Sequence, residues 1–466
     1  MQLFQFSRLR AGFAPGTQIG GVPVGGLNQQ QAAERVTQAF NFPIELLYEG
    51  QIIQVKPSQL GFELDVDAMI ATADQQRVNL PFWSSFWDYL WNRKPAARNT
   101  PIQASVDEKQ LRVFLMDEIS SRYDLVPQSS IPIPGSINFQ YGEPGKVLDI
   151  ERTIPIIEET LRNPSSRSIE LIVREVTPPS PSMDNLEIMI KQIIDRSKYD
   201  GLVEVYILDL NKRDTINFAY ERGVDIEPGI AFSAHSTIKI PIMVSVFRRI
   251  GEPTPQGAAE LMQQMIKKSE NPPADTLMEN YLDPNIGPIF VTSDMREIGL
   301  KNTFLGAHFY LGAAVLDRFI TPANQRMDYD SDPDFLNQTT TADLSMLLDD
   351  IYQCAQTGGG TFAAVYQGEI TQSECQLMIT FLSQNKTGAL LEAGLPDGTQ
   401  FANKHGWVVE TDGVIHTILN TGIVFSPGGN YVVSIAMYQP TQLIYDIANL
   451  LYAQLSSAIY NYFNIK

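Results

Sequence analysis

The sequence predicts a multi-domain α/β protein: a small α+β domain over residues 1–178, a linker at 179–185 and a larger domain over 186–466. Three observations carry this. At 466 residues the chain exceeds the ~250 to 300 that one hydrophobic core organises. The stretch VTPPSPSMDN, residues 176–185, gathers Pro178, Pro179 and Pro181 with Ser180 and Ser182, which is linker composition between periodic segments. The hydrophobic pattern also changes there, from short alternating pieces before the seam to long apolar helices and turn-separated strands after it.

Before the seam, PIELLYEG and IELIVREV read as strands, and QQQAAERVTQAF, DVDAMIATADQQ, DEKQLRVFLMDEI and DIERTIPIIEETL read as helices, an arrangement suggesting two related halves. FWSSFWDYLW places Trp83, Trp87 and Trp91 four residues apart, on one helical face. Aromatic stripes at that spacing usually pack as core, so burial is the first expectation and an interfacial or partner-binding face the second.

After the seam a helix, DNLEIMIKQIIDRSKY, precedes strands GLVEVYILDLN and DTINFAYERG around a polar turn at Lys212 and Arg213. FSAHSTIKIPIMVSVFRRI then opens an apolar helix, with Ser236 and Lys239 three residues apart. Residues at that spacing share a helix face, so the amine can reach the hydroxyl, and a helix start favours developing negative charge on a nucleophile. LMQQMIKKSENPPADTLMENYL reads as helix, loop and helix, the loop holding Ser269, Glu270 and Asn271. A serine before a helix is usually a cap; held on a rigid loop it could instead relay a proton.

A second Ser-x-x-Lys pair, Ser383 and Lys386, falls at the end of a helix that Gly388 is expected to cap, which makes Lys386 a solvated last-turn cation. Lys404 sits in FANKHGWVV, the first of several antiparallel strands, where Gly406 permits close backbone approach.

Composition narrows the function classes. With 44% hydrophobic and 19% charged residues the chain is an ordinary globular protein, and a net charge of -19 argues against nucleic acid or an anionic membrane as the main partner. Only two cysteines occur, Cys354 and Cys375, so no cofactor or metal site is expected; a disulfide and two buried thiols both fit. The opening QLFQFSRLRAGFAPG lacks the basic-then-apolar layout of a signal peptide, which leaves a cytoplasmic protein or one exported by a segment outside this chain.

Taken together, Ser236-x-x-Lys239, Ser269-Glu270-Asn271 and Lys404-His405-Gly406 resemble, in order and context, the Ser-x-x-Lys, Ser-Asp-Asn and Lys-Thr-Gly motifs of class A β-lactamases and penicillin-binding proteins. STIKIPI, MREIGLKNT, NQTTTADLSMLLDDI and NKTGALLEAGLPDGTQFANKHGW extend the resemblance over about residues 184–466. It implies a sandwich of antiparallel sheet and flanking helices with a helical lobe. It implies Ser236 as nucleophile, Lys239 as base and Ser269 as proton relay. Asn271 and Lys404 to Trp407 would bind substrate, and the amides of Ser236 and Trp407 would form the oxyanion hole. PGTQIGGVPVGGLNQQQAAERV and GEPGKVLDIERTI resemble the peptidoglycan-binding domains that accompany vancomycin-resistance W-type proteins.

The combined resemblance implies peptidoglycan stem peptides and β-lactams as ligands, an extracytoplasmic location and a membrane anchor outside this chain. Three departures stand out: Glu270 replaces the usual aspartate, His405 the usual threonine, and Trp407 follows the glycine, so His405 either donates to a substrate carboxylate or packs. Class A enzymes also use a loop glutamate to activate the deacylating water, whereas here no glutamate lies between Glu297 and Glu369 and Asp317, Asp328, Asp330, Asp332 and Asp334 match no motif. The expectation is a slow-deacylating acyl-enzyme; a wall-binding pseudoenzyme and an esterase or amidase on another substrate are the alternatives.

Overall fold

A computed structural model describes residues 2–93 and 97–465, and the chain divides into two compact units, residues 1–129 with 142–179 and residues 130–141 with 180–466. The expected first domain, 1–178, therefore gives up one piece. The short hairpin Ile131–Pro132 with Phe139–Gln140 belongs to the second unit, because Phe139 is buried in that unit's core and its ring lies 5.9 Å from Tyr462.

In the first unit the helices Gln29–Asn41, Val66–Val78, Glu108–Phe114 and Ile150–Leu161 each start behind a short polar residue. Asn28, Asp65, Asp107 and Asp149 accept hydrogen bonds from first-turn amides, satisfying donors that have no partner inside the helix. The helices pack on a sheet in which Ile44–Tyr48 pairs antiparallel with Gln51–Val55 and parallel with Ser168–Glu170. Val36, Phe40, Leu46, Leu111, Ile157 and Leu161 fill the core between them.

The second unit is built on a six-stranded antiparallel sheet. From one edge to the other its strands are Val224–Ile226, Thr215–Glu221, Leu202–Asp209, Tyr431–Tyr438, Thr417–Phe425 and Gln400–Trp407. Tyr431–Tyr438 is buried along its whole length, as a central strand covered on both faces must be. One face packs Val433, Ile435 and Met437 with Leu451, Tyr452 and Leu455 of the terminal helix Tyr445–Phe463 and with Leu186 and Ile190 of Met183–Arg196. The helical lobe joins a second core that holds Val432 and Ile423 of the sheet with Met243, Phe247, Leu277 and Leu347. Sheet and helices thus form the expected sandwich with its helical lobe.

Cys354 of the helix Thr341–Thr357 and Cys375 of Gln372–Ser383 form a disulfide, which settles the choice the sequence left open. Among the described residues no helix is long and apolar enough to cross a membrane.

Candidate active site

Ser236 lies in the single 3-10 turn His235–Ile238, which runs directly into the helix Lys239–Ile250. The turn is pinned from two sides. A small sheet of Phe232–Ser233, Asn337–Thr339 and Phe304–Leu305 delivers the chain to it, and Asn337 Nδ2 donates to the His235 carbonyl at 3.1 Å. On the other side the strand Gln400–Trp407 passes so close that a Cβ on Gly406 would stand 2.8 Å from Ser236 N and 2.9 Å from Ala234 O. Only glycine fits there, which is the physical reason for the glycine after His405.

Two non-glycine residues at the site adopt left-handed backbone, His235 with φ 46° and Ser269 with φ 59°. Such conformations are uncommon and cluster where the surrounding fold over-determines a functional loop. At Ser269 the consequence is visible. The helix Asn271–Tyr281 has Glu270 at its N-cap position, with no side-chain cap, so Ser269 is not the capping serine that its position before a helix suggests. Its hydroxyl instead accepts from Lys404 Nζ at 2.9 Å and lies 3.5 Å from Lys239 Nζ.

Lys239 is the centre of the arrangement. Its amine lies 2.9 Å from Ser236 Oγ, 2.6 Å from the Ser269 carbonyl and 2.8 Å from Asn271 Oδ1. A neutral amine has two N–H donors and one lone pair. In the charged form the amine donates to all three oxygens; in the neutral form the carbonyl and the Asn271 oxygen, which can only accept, take both donors and leave the lone pair to the Ser236 hydroxyl. Burial pushes the Lys239 amine down to about 8, against smaller opposing pulls from Asp275 and Glu270. Lys404 is also fully buried, and burial together with the nearby Lys239 holds it well below the ordinary lysine range. Two amines that share one hydroxyl in a buried site lose a proton far more readily than lysines in water.

Ser236, Ser269, Asn271, Pro272, His405, Gly406 and Trp407 line a cleft of about 460 Å3. His405 and Trp407 alternate with Lys404 and Gly406 along the strand, so their side chains leave on the opposite face. The His405 Nδ1 lies 3.4 Å from Asn385 Nδ2, and burial plus the two lysine charges lowers its pKa to about 3, which keeps the ring neutral. The geometry gives His405 a packing contact with Asn385 and also places it in the lining of the cleft. The Trp407 ring, 40% exposed, leans on Tyr445 with centroids 5.4 Å apart.

The second Ser-x-x-Lys pair is not a site of this kind. The helix Gln372–Ser383 ends at Ser383 with Gln384 as its C-cap, so Lys386 lies beyond the last turn and Gly388, with φ 61°, caps no helix. Lys386 is exposed and paired with Glu392 at 3.2 Å, while Ser383 Oγ accepts from Gln400.

Two residues were not legible as site members. The Phe309 ring centre lies 5.7 Å from Lys239 Nζ, and Asp275 accepts the Phe309 backbone N–H at 2.8 Å, holding that part of the 306–336 loop against the site. Asp275 stands one turn after Asn271 on the same helix, a spacing that could have drawn attention; nothing in the loop sequence marks Phe309. Glu270 pairs at 4.0 Å with Lys268 and is exposed. Among the described residues no group of three or more His, Cys, Asp or Glu could hold a metal ion.

No curated protein matches the chain. Among solved structures, PBP-A is similar at 20% identity over 61% of this chain and 97% of its own, with a TM-score of 0.42. The TLA-3 extended-spectrum β-lactamase is similar at 16% over 60% and 99%, with a TM-score of 0.43. A β-lactamase from Chitinophaga pinensis is similar at 15% over 59% and 98%, with a TM-score of 0.45. These are likenesses, and the fold description above stands on the chain's own geometry. Residues 254–463 match the family model described as the β-lactamase enzyme family, a segment that takes in Ser269, Asn271 and Lys404 and begins after Ser236 and Lys239.

Proposed function

We propose that the second unit is a penicillin-recognising serine hydrolase that works through an acyl-enzyme on Ser236, with β-lactams or cell-wall stem peptides as substrates. The observation that carries this reading is the buried Lys239 amine 2.9 Å from Ser236 Oγ with its two donors already engaged. Lys239 takes the hydroxyl proton as Ser236 Oγ attacks the carbonyl carbon. The amides of Ser236 and Trp407, on either side of the Gly406 contact, hold the oxyanion. Collapse breaks the carbon–nitrogen bond, Ser269 passes a proton to the leaving nitrogen, and the acyl ester remains on Ser236. Asn271 grips the substrate side-chain amide, and the incoming substrate carboxylate favours the protonated form of Lys404 against the effect of burial, so that the two pair.

Deacylation is slow in this account. No glutamate occurs between Glu297 and Glu369, and the Phe309 ring covers the Lys239 amine on the loop side. The first unit serves as a peptidoglycan-binding module, and the protein works outside the cytoplasm, an oxidising setting that suits the Cys354–Cys375 disulfide.

The test is a time course with a fluorescent penicillin. The label should appear on the protein, persist after excess reagent is removed, and be missing from Ser236→Ala. Rapid turnover with no persistent label would sink the slow-deacylation part; no reaction with any β-lactam or stem peptide, alongside hydrolysis of simple esters, would move the assignment to an esterase.

A further inference from the structure

We propose that the paired helices Gln2–Arg10 and Phe82–Leu90 of the first unit form a docking surface for an anionic lipid bilayer. Their mutual contact is already satisfied on the inside. Phe6 is buried between Phe82, Phe86 and Tyr89 at ring separations of 5.3 to 5.4 Å, and Arg10 Nη2 donates to the Leu80 carbonyl at 2.6 Å. The tryptophans are what the packing leaves out. Trp83, Trp87 and Trp91 are 65%, 59% and 72% exposed and Phe4 is 68% exposed, so the stripe is not the core element its spacing suggests.

Two features choose lipid over another partner. Tryptophan is the side chain that prefers the bilayer interface, where its ring meets the acyl boundary and its N–H stays hydrated. Charge supplies the second. Among the described residues, segments 2–10 and 74–100 carry Arg8, Arg10, Arg77, Arg93 and Arg98 against Asp74 and Asp88, which pair with Arg77 at 2.6 Å and with Arg93 at 3.7 Å, leaving a net positive charge in a chain whose net charge is -19. The Arg8 guanidinium lies 5.6 Å from the exposed Phe4 ring, placing cation and aromatic side by side. Most of the acidic excess belongs to the second unit, so the whole-chain charge that speaks against an anionic membrane does not describe this patch. An aromatic stripe flanked by arginines is the composition of an interfacial helix. The surface belongs to the first unit and does not depend on the acyl-enzyme reading.

The chain has four tryptophans, three of them in the stripe, so its own fluorescence reports contact. The full chain would be titrated with vesicles of phosphatidylcholine containing phosphatidylglycerol, and with vesicles of phosphatidylcholine alone. Expected are a blue-shifted emission and co-sedimentation with the anionic vesicles, at roughly tenfold higher affinity than for neutral ones and weakening with salt. Replacing Trp83, Trp87 and Trp91 together by Ser, in a variant whose circular dichroism and thermal melt match the parent, should abolish co-sedimentation. Arg8→Gln with Arg93→Gln should remove the preference for anionic lipid, and Ser236→Ala should bind like the parent. Absence of binding to anionic vesicles, or binding unchanged by the triple substitution, overturns the proposal. A self-association seen by sedimentation and lost in the triple variant, without vesicle binding, also overturns it and assigns the face to a second copy of the chain.

Discussion

At the scale of single residues, the proposed mechanism turns on Lys239. A base must be unprotonated to act, and a lysine pushed down to about 8 by burial is mostly charged at pH 6 and mostly neutral at pH 9. The acylation rate should therefore rise with pH through about 8 and level off above it, a profile measured by stopped-flow with a chromogenic β-lactam. A flat profile between pH 6 and 9 would remove Lys239 as the base. The pair was legible because Ser236 and Lys239 fall one turn apart at the start of an apolar helix, and the motif signal carried Ser269, Asn271 and Lys404 with it. The orientation of His405 was not, because its partner Asn385 comes from a different part of the chain and no local pattern announces a cross-element hydrogen bond.

At the scale of elements, the cleft is a meeting of one strand, one 3-10 turn and one loop. Gly406 sets how closely the strand meets the turn. Gly406→Ala would bring a methyl to 2.8 Å from Ser236 N, and the backbone has to give way. Misplacement by about 1 Å costs on the order of a hundredfold in rate, so acylation in Gly406→Ala should fall by at least about tenfold while the fold survives, as judged by circular dichroism. Phe309 belongs to the same scale, since its ring lies near Lys239 on a loop whose backbone Asp275 anchors. Phe309→Glu would place a carboxylate where a ring now lies, and a general base contributes roughly a hundredfold or more. The adduct on that variant should decay measurably faster than on the parent; an unchanged lifetime would mean that water is excluded by something other than this ring. Individual strands and helices were legible from period and turn signals. The course of the 306–336 loop was not, because it has almost no regular structure and its position depends on side chains from elsewhere.

The whole molecule adds covalent and modular constraints. The disulfide closes a loop of 21 residues between two helices of the lobe, and in a chain-entropy account such a link contributes about 3 kcal/mol. Converting both Cys354 and Cys375 to Ser should lower the urea midpoint of the second unit accordingly, with acylation at low urea unchanged, because neither cysteine lines the cleft. The seam near residue 178 was visible in its prolines. The crossing of residues 130–141 into the second unit was not, since hairpin composition is the same whichever core receives it. Exposure of the tryptophan stripe escaped for a related reason: spacing tells which residues share a face and not what that face meets.

The central claim is that one serine, Ser236, is the nucleophile, in a chain that offers a second Ser-x-x-Lys pair at Ser383 and Lys386. The most direct measurement is mass spectrometry of the peptides from penicillin-treated protein. The account predicts the added penicilloyl mass on the peptide containing Ser236 alone; an adduct on the Ser383 peptide, or one that survives Ser236→Ala, would contradict it.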